Sequence, residues 1–176
     1  MFDLATIGRG LPVLETIDSL PAEGHVVVQA PPGTGKTTLV PPALANQAAG
    51  CGKVLVTAPR RVAVRAAANR LQELSGQRIG YAVRGDSRKG QDVEFVTPGL
   101  LDRRLLADPE LTGAGAVILD EVHERSIESD VAFGLLADVR ALRDDLVVVA
   151  MSATLDARRF ANLLAATTTS GEAPLV

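Results

Sequence analysis

Two clusters in this chain combine residue types that can handle a phosphate anhydride. The first, Ala30-Pro31-Pro32-Gly33-Thr34-Gly35-Lys36-Thr37, follows the order of a phosphate-binding loop, with Ala30 where the pattern has its first glycine. Gly33 and Gly35 let backbone N–H groups turn inward around phosphate oxygens, and a helix opening at Lys36 would point its positive end at them. Lys36 would reach the β- and γ-phosphates as a point charge, and the Thr37 hydroxyl would bind Mg²⁺. Thr34 and Thr38 complete the residues expected against a nucleotide such as ATP. The second cluster is Val117-Ile118-Leu119-Asp120-Glu121-Val122-His123-Glu124, an apolar run ending in adjacent carboxylates. Asp120 is the candidate Mg²⁺ partner, with Glu121 beside it as a second metal ligand or as the group that orients and deprotonates the attacking water. Two acids after a strand can also be a helix N-terminal charge pair, a reading that loses weight beside a phosphate loop. His123 alone would read as structural; its place two residues after Glu121 makes it a catalytic candidate.

These clusters need elements that bring them to one edge. Short apolar runs at residues 26–29, 54–58, 79–83, 93–97, 116–120 and 146–151 alternate with segments of helical period at 14–19, 37–49, 62–74, 99–107, 127–142 and 156–165. That alternation predicts an α/β fold around a mostly parallel sheet of about six or seven strands, with helices on both faces. In such a sheet ligands gather beyond the carboxyl ends of the strands, where the loop after residue 29 and the acids after residue 119 would both lie. Pro41 and Pro42 fall inside the second helical segment and should break or kink it after its first turn.

Further strings sharpen the reading. Asp120-Glu121-Val122-His123 is a DExH box, and with the phosphate loop and Ser152-Ala153-Thr154 it resembles the first RecA-like, P-loop domain of superfamily 2 helicases. Ala58-Pro59-Arg60-Arg61-Val62-Ala63, Gly80-Tyr81-Ala82-Val83-Arg84, Thr97-Pro98-Gly99-Leu100-Leu101 and His123-Glu124-Arg125-Ser126 are similar to strings of the DEAH/RHA group, and within it of the bacterial HrpB type. The likeness runs from about residue 11 to 156. It implies an ATP-dependent helicase lobe in which Lys36, Asp120, Glu121 and His123 are catalytic. It further implies that Ser152 and Thr154 couple hydrolysis to strand movement, and that Arg60, Arg61, Thr97 and Gly99 touch single-stranded nucleic acid, RNA favoured over DNA. Arg70 falls where the group stacks an arginine on the nucleotide base, which would admit several nucleoside triphosphates. Arg65, Arg70, Arg78 and Arg84 equally fit solvated faces, and Glu124 with Arg125 equally fits a supporting ion pair.

The 176 residues allow one domain, expected at residues 1–166, followed by an exit linker at 167–176 that is small and polar. A second RecA-like lobe, which would bring arginines to the γ-phosphate, does not fit in this length, so the lobe alone is expected to turn over feebly. With 47% hydrophobic and 22% charged residues the composition is that of a globular domain. A net charge of −3 argues against binding nucleic acid by bulk electrostatics, and 3% aromatic residues argue against a base-stacking platform. The lone Cys51 and the lack of a long apolar run suggest a cytoplasmic protein without a membrane anchor. A stand-alone nucleotide-sensing module is the alternative to a helicase lobe, and an unrelated P-loop kinase or transporter would need a lid or signature loop that the sequence does not show.

Overall fold

The computed structural model describes residues 1–20, 24–48, 50–124 and 126–153. Thr154, Arg125, the helical segment expected at 156–165 and the linker at 167–176 lie outside them. A short helix α1 (Leu4–Ile7) and a 3₁₀ helix (Pro12–Ser19) lead into β1 (His25–Gln29), and α2 (Lys36–Gln47), β2 (Lys53–Thr57) and α3 (Arg61–Ser75) follow. Next come β3 (Gly80–Val83), β4 (Asp86–Arg88), β5 (Val93–Val96), α4 (Pro98–Ala107), β6 (Ala114–Leu119), α5 (Ile127–Leu142) and β7 (Val147–Ser152). The seven strands form one sheet in the order β1-β7-β6-β2-β5-β3-β4. Every pairing is parallel except β3 with β4.

The strands are continuous runs of Val, Ile, Leu and Ala because both faces are covered. Val26 and Val28, Val54 and Val56, and Val147 and Val149 turn toward α1, the 3₁₀ helix, α2 and α3. Val27, Leu55, Val117 and Val148 turn the other way, toward α4 and α5. Alternation at period two thus feeds two cores from each strand.

Two sequence expectations change. Neither proline breaks α2, which runs unbroken from Lys36 to Gln47 with both rings buried. Each proline lacks one intrahelical donor, a cost of roughly 3 kcal/mol in an isolated helix; here packing of α2 into the core offsets it. The segment expected to be helical at 14–19 is helical, but it starts earlier, at Pro12, and winds as a 3₁₀ helix.

Between α4 and α5 lies a carboxyl under strain. Among the described residues Asp102 Oδ1 is buried with no hydrogen-bond partner, and burial, reinforced by the charge of Glu128, pushes this carboxyl up to about 6. A carboxyl whose folded value exceeds its unfolded 3.8 favours the fold when protonated, so this contribution is present at low pH and is lost as pH rises through about 6. Solvent screening at this half-buried position limits the effect to on the order of 1 kcal/mol. Urea unfolding of Asp102→Asn is therefore expected to show a smaller loss of stability between pH 5 and pH 7.5 than the parent shows.

Candidate nucleotide site

The loop after β1 is shaped by two left-handed glycines, Gly33 at φ 80° and Gly35 at φ 96°, the second capping α2. A side chain at Gly35 would be strained by that φ and would also collide with Leu11, whose Cδ1 lies 2.6 Å from where a Cβ would be. Ala30 adopts no positive φ, and its N–H donates to the Ser152 carbonyl at 3.2 Å. An alanine is therefore tolerated where the loop pattern has its first glycine. Lys36 is 4% exposed, and its ammonium donates to the carbonyls of Ala30 at 2.5 Å and Pro31 at 3.1 Å, which orders the loop around it.

Strand β7 separates β1 from β6, yet side chains bridge the gap. The Thr37 hydroxyl donates to Asp120 Oδ2 at 2.6 Å, joining residues 83 apart in sequence. Asp120 is 6% exposed. Burial raises its carboxyl to about 6 and the charge of Glu121 adds to this, against the lowering effect of the Thr37 hydroxyl and of Lys36. The Thr57 hydroxyl, at the end of β2, accepts the Asp120 N–H at 3.2 Å and fixes the turn. Glu121 then sits at φ 54°, a left-handed conformation that costs a side-chain-bearing residue on the order of 1 kcal/mol. Its N–H donates to Asp120 Oδ1 at 2.9 Å, and its carbonyl accepts from Glu124 N at 2.9 Å.

His123 links this turn to the end of β7. Its Nδ1 lies 3.4 Å from the Ala153 N–H and 3.3 Å from Glu121 Oε2. One nitrogen cannot accept the first contact and donate to the second at once, so the two are alternatives set by the tautomer. Ser152 is fully buried and registers with Gln29 of β1.

A cleft of about 480 Å³ opens beside these groups, lined by Gly33, Gly35, Lys36, Thr37, Thr38 and Glu121 together with Arg70 and Leu74 of α3. Thr34 adjoins this loop and holds it with a hydroxyl bond to the Pro31 carbonyl at 2.8 Å. The remaining predicted residues stand beyond the ends of β2 and β5 or on the helices that follow them. Arg60 is 77% exposed, 3.8 Å from Glu124. Arg61 donates to the Arg84 carbonyl at 2.6 Å, tying α3 to the turn between β3 and β4. Thr97 caps α4, its carbonyl accepting from Leu100 and Leu101, and Gly99 follows within the helix. Arg70 lies 3.9 Å from Glu73 on an exposed face of α3. Arg65 is held by Asp86 at 2.7 Å, in keeping with the structural alternative for that residue. Sequence reasoning missed Thr57 and the amino-terminal lining residues Thr6, Ile7, Arg9 and Leu11. A lone threonine at a strand end and a four-residue helix carry no spacing signal that could have found them.

A parallel sheet with a phosphate loop after one strand, paired acids after another, and a cleft joining them defines a RecA-like P-loop nucleotide-binding domain. The chain belongs to the DEAD/DEAH box helicase family, whose model matches residues 14–163. It is 43% identical over 169 residues to the ATP-dependent RNA helicase HrpB of Escherichia coli (strain K12), covering 92% of this chain and 20% of that protein. To the probable ATP-dependent RNA helicase DHX35 homolog of Caenorhabditis elegans it is 42% identical over 143 residues, 77% of this chain and 20% of that one. The crystal structure of the E. coli DEAH/RHA helicase HrpB superposes with a TM-score of 0.82 at 40% identity, over 95% of this chain and 22% of the other. The chain thus spans about a fifth of the length of the curated relatives it matches. Among the described residues, no helix is long and apolar enough to cross a membrane.

Proposed function

We propose that this chain is the ATP-binding lobe of an ATP-dependent RNA helicase and uses NTP hydrolysis to move along a single strand. The observation that carries this reading is the 2.6 Å contact between Asp120 and Thr37, a residue that lines the phosphate-loop cleft. A hydroxyl and a carboxylate held together there form the oxygen donor pair that a Mg²⁺ ion sharing its sphere with phosphates and water requires. The ion, when bound, would neutralise charge on the β- and γ-phosphates, with Glu121 near enough to orient it through water.

The protein groups have separate tasks. Lys36 exchanges its carbonyl partners for phosphate oxygens, while the backbone N–H groups of Gly33, Thr34, Gly35, Thr37 and Thr38 take the rest of the charge. Glu121 accepts the proton of the attacking water. His123 changes partner between Glu121 and Ala153 as the carboxylate's charge changes, which passes the state of the site to β7. Ser152 and Thr154 carry it on. Arg70 holds the base. Arg60, Arg61, Thr97 and Gly99 grip the strand's backbone without reading its sequence. RNA is the strand favoured by the relatives' names.

A second RecA-like lobe supplies arginine to the γ-phosphate in this reading, a contribution worth about 10³–10⁵ in rate. The 176 residues alone therefore bind nucleotide and hydrolyse it slowly, and residues 167–176 lead toward that lobe. The exposed thiol of Cys51 fits the reducing cytoplasm.

Calorimetric titration with Mg²⁺ and ATP tests the reading directly. Lys36→Ala is expected to weaken binding by about 100-fold, the loss of a charge-assisted contact to phosphate. Equal affinity in parent and variant would remove the phosphate loop from the proposal. Strong strand-stimulated turnover by the 176 residues alone would remove the second lobe.

A further inference from the structure

One wall of the nucleotide cleft comes from outside every motif. Thr6, Ile7, Arg9 and Leu11 line it from the amino-terminal segment, beside Arg70 and Leu74. This wall is fastened to the phosphate loop. Leu11 covers the α-carbon of Gly35, and the Val13 N–H donates to the Thr34 carbonyl at 3.2 Å. Helix α1 packs on both α2 and α3, which sets Arg9 and Arg70 on one cleft.

The lining divides by chemistry. The loop glycines, Lys36, Thr37 and Glu121 suit phosphate, metal and water. The remainder offers two guanidinium groups, the hydroxyls of Thr6 and Thr38, the Pro32 ring and three aliphatic side chains. Such a surface suits a flat, partly polar ring carrying hydroxyls. Among the described residues no aromatic side chain lines the cleft, so the faces they offer a base are guanidinium planes and leucines. Arg9 is exposed and, among the described residues, makes no hydrogen bond or close ion pair; the charge that attracts it is that of the exposed Asp3 carboxylate, whose pKa it lowers only as the weakest of several causes.

We propose that Arg9 is a nucleotide-binding residue, gripping the base and ribose of the nucleoside triphosphate from the amino-terminal wall of the cleft. This rests on the cleft being a nucleotide site. Its guanidinium lies against the ring and donates to ribose oxygens, contacts that all nucleosides offer. The amino-terminal segment thereby becomes part of the site rather than a lead-in to it.

Calorimetric titrations with ATP, CTP and inorganic tripolyphosphate, each with Mg²⁺, separate the base end from the phosphate end. Arg9→Ala is expected to weaken ATP and CTP by about threefold to tenfold and to leave tripolyphosphate within about twofold, the size of a stacking contact at an accessible site. Arg9→Lys recovers little of the loss, because an ammonium has no planar face. Unchanged ATP affinity in Arg9→Ala overturns the inference. Equal weakening for ATP and tripolyphosphate also overturns it, since the residue would then serve the phosphates or the fold. Should the parent bind ATP no better than Lys36→Ala does, the cleft reading itself fails and this inference with it. If the parent's binding depends on Lys36 and Arg9→Ala matches the parent, this inference alone falls.

Discussion

Glutamine in place of Glu121 is expected to slow nucleotide hydrolysis by about 10²–10⁴-fold while leaving nucleotide affinity within about twofold, the signature of a lost general base. The side chain lies in the cleft, and its amide isostere keeps the reach toward His123 Nδ1, 3.3 Å away. An amide oxygen can still hold water by hydrogen bonding. It cannot take the water's proton. The backbone is unaffected, because the left-handed turn at φ 54° is stabilised by Glu121's own N–H and carbonyl and by Asp120, not by the carboxylate. Single-turnover and steady-state rates, measured with single-stranded RNA on a longer chain that carries the proposed second lobe, give the comparison. A variant that hydrolyses at the parent's rate would assign the proton to another group.

Asparagine at position 120 separates function from stability. Hydrolysis is expected to fall by about 10³-fold, because in the proposed site a Mg²⁺ ion would lose a charged ligand that contributes several kcal/mol. Without nucleotide, the same variant is expected to be more stable than the parent at pH 7.5. The buried carboxyl is raised from 3.8 to about 6, so its ionised form costs the folded state on the order of 3 kcal/mol. An amide removes that cost and still accepts the Glu121 N–H, while the Thr37 hydroxyl can turn to accept from it. The sign follows from the raised value. The cost is full above pH 6, shrinks as pH falls, and is absent below 3.8. Urea unfolding at pH 7.5 and pH 4 should therefore show the stabilisation at the first and little at the second. A variant less stable than the parent at pH 7.5 would mean that the carboxylate holds the turn by more than the burial argument allows.

Strands β1, β2, β6 and β7 were legible because burial on both faces demands uninterrupted apolar residues, and that demand is written locally. The phosphate loop and Asp120-Glu121 were legible because phosphate chemistry fixes residue type and spacing within a few positions. Strand β4 was not, since Asp86, Ser87 and Arg88 show no apolar pattern and pair only because β3 lies alongside. The course of α2 was misjudged for a related reason. Local propensity counts the donors that Pro41 and Pro42 lack, whereas the helix is held by a core assembled from distant segments. The wall formed by Thr6, Arg9 and Leu11 depends on the same kind of long-range packing, and so does the hydroxyl of Thr57 under Asp120.

Strand β4 has a consequence for the molecule in a crowded solution. The outer margin of a sheet is a template on which another extended chain can lay itself down, and long apolar margins invite fibrils. Here that margin is three residues, room for one or two intermolecular bonds, and its charged side chains are already engaged: Asp86 by Arg65, and Arg88 by Asn69 and the ring of Tyr81. On that side, copies of this chain meet a barrier rather than a seed.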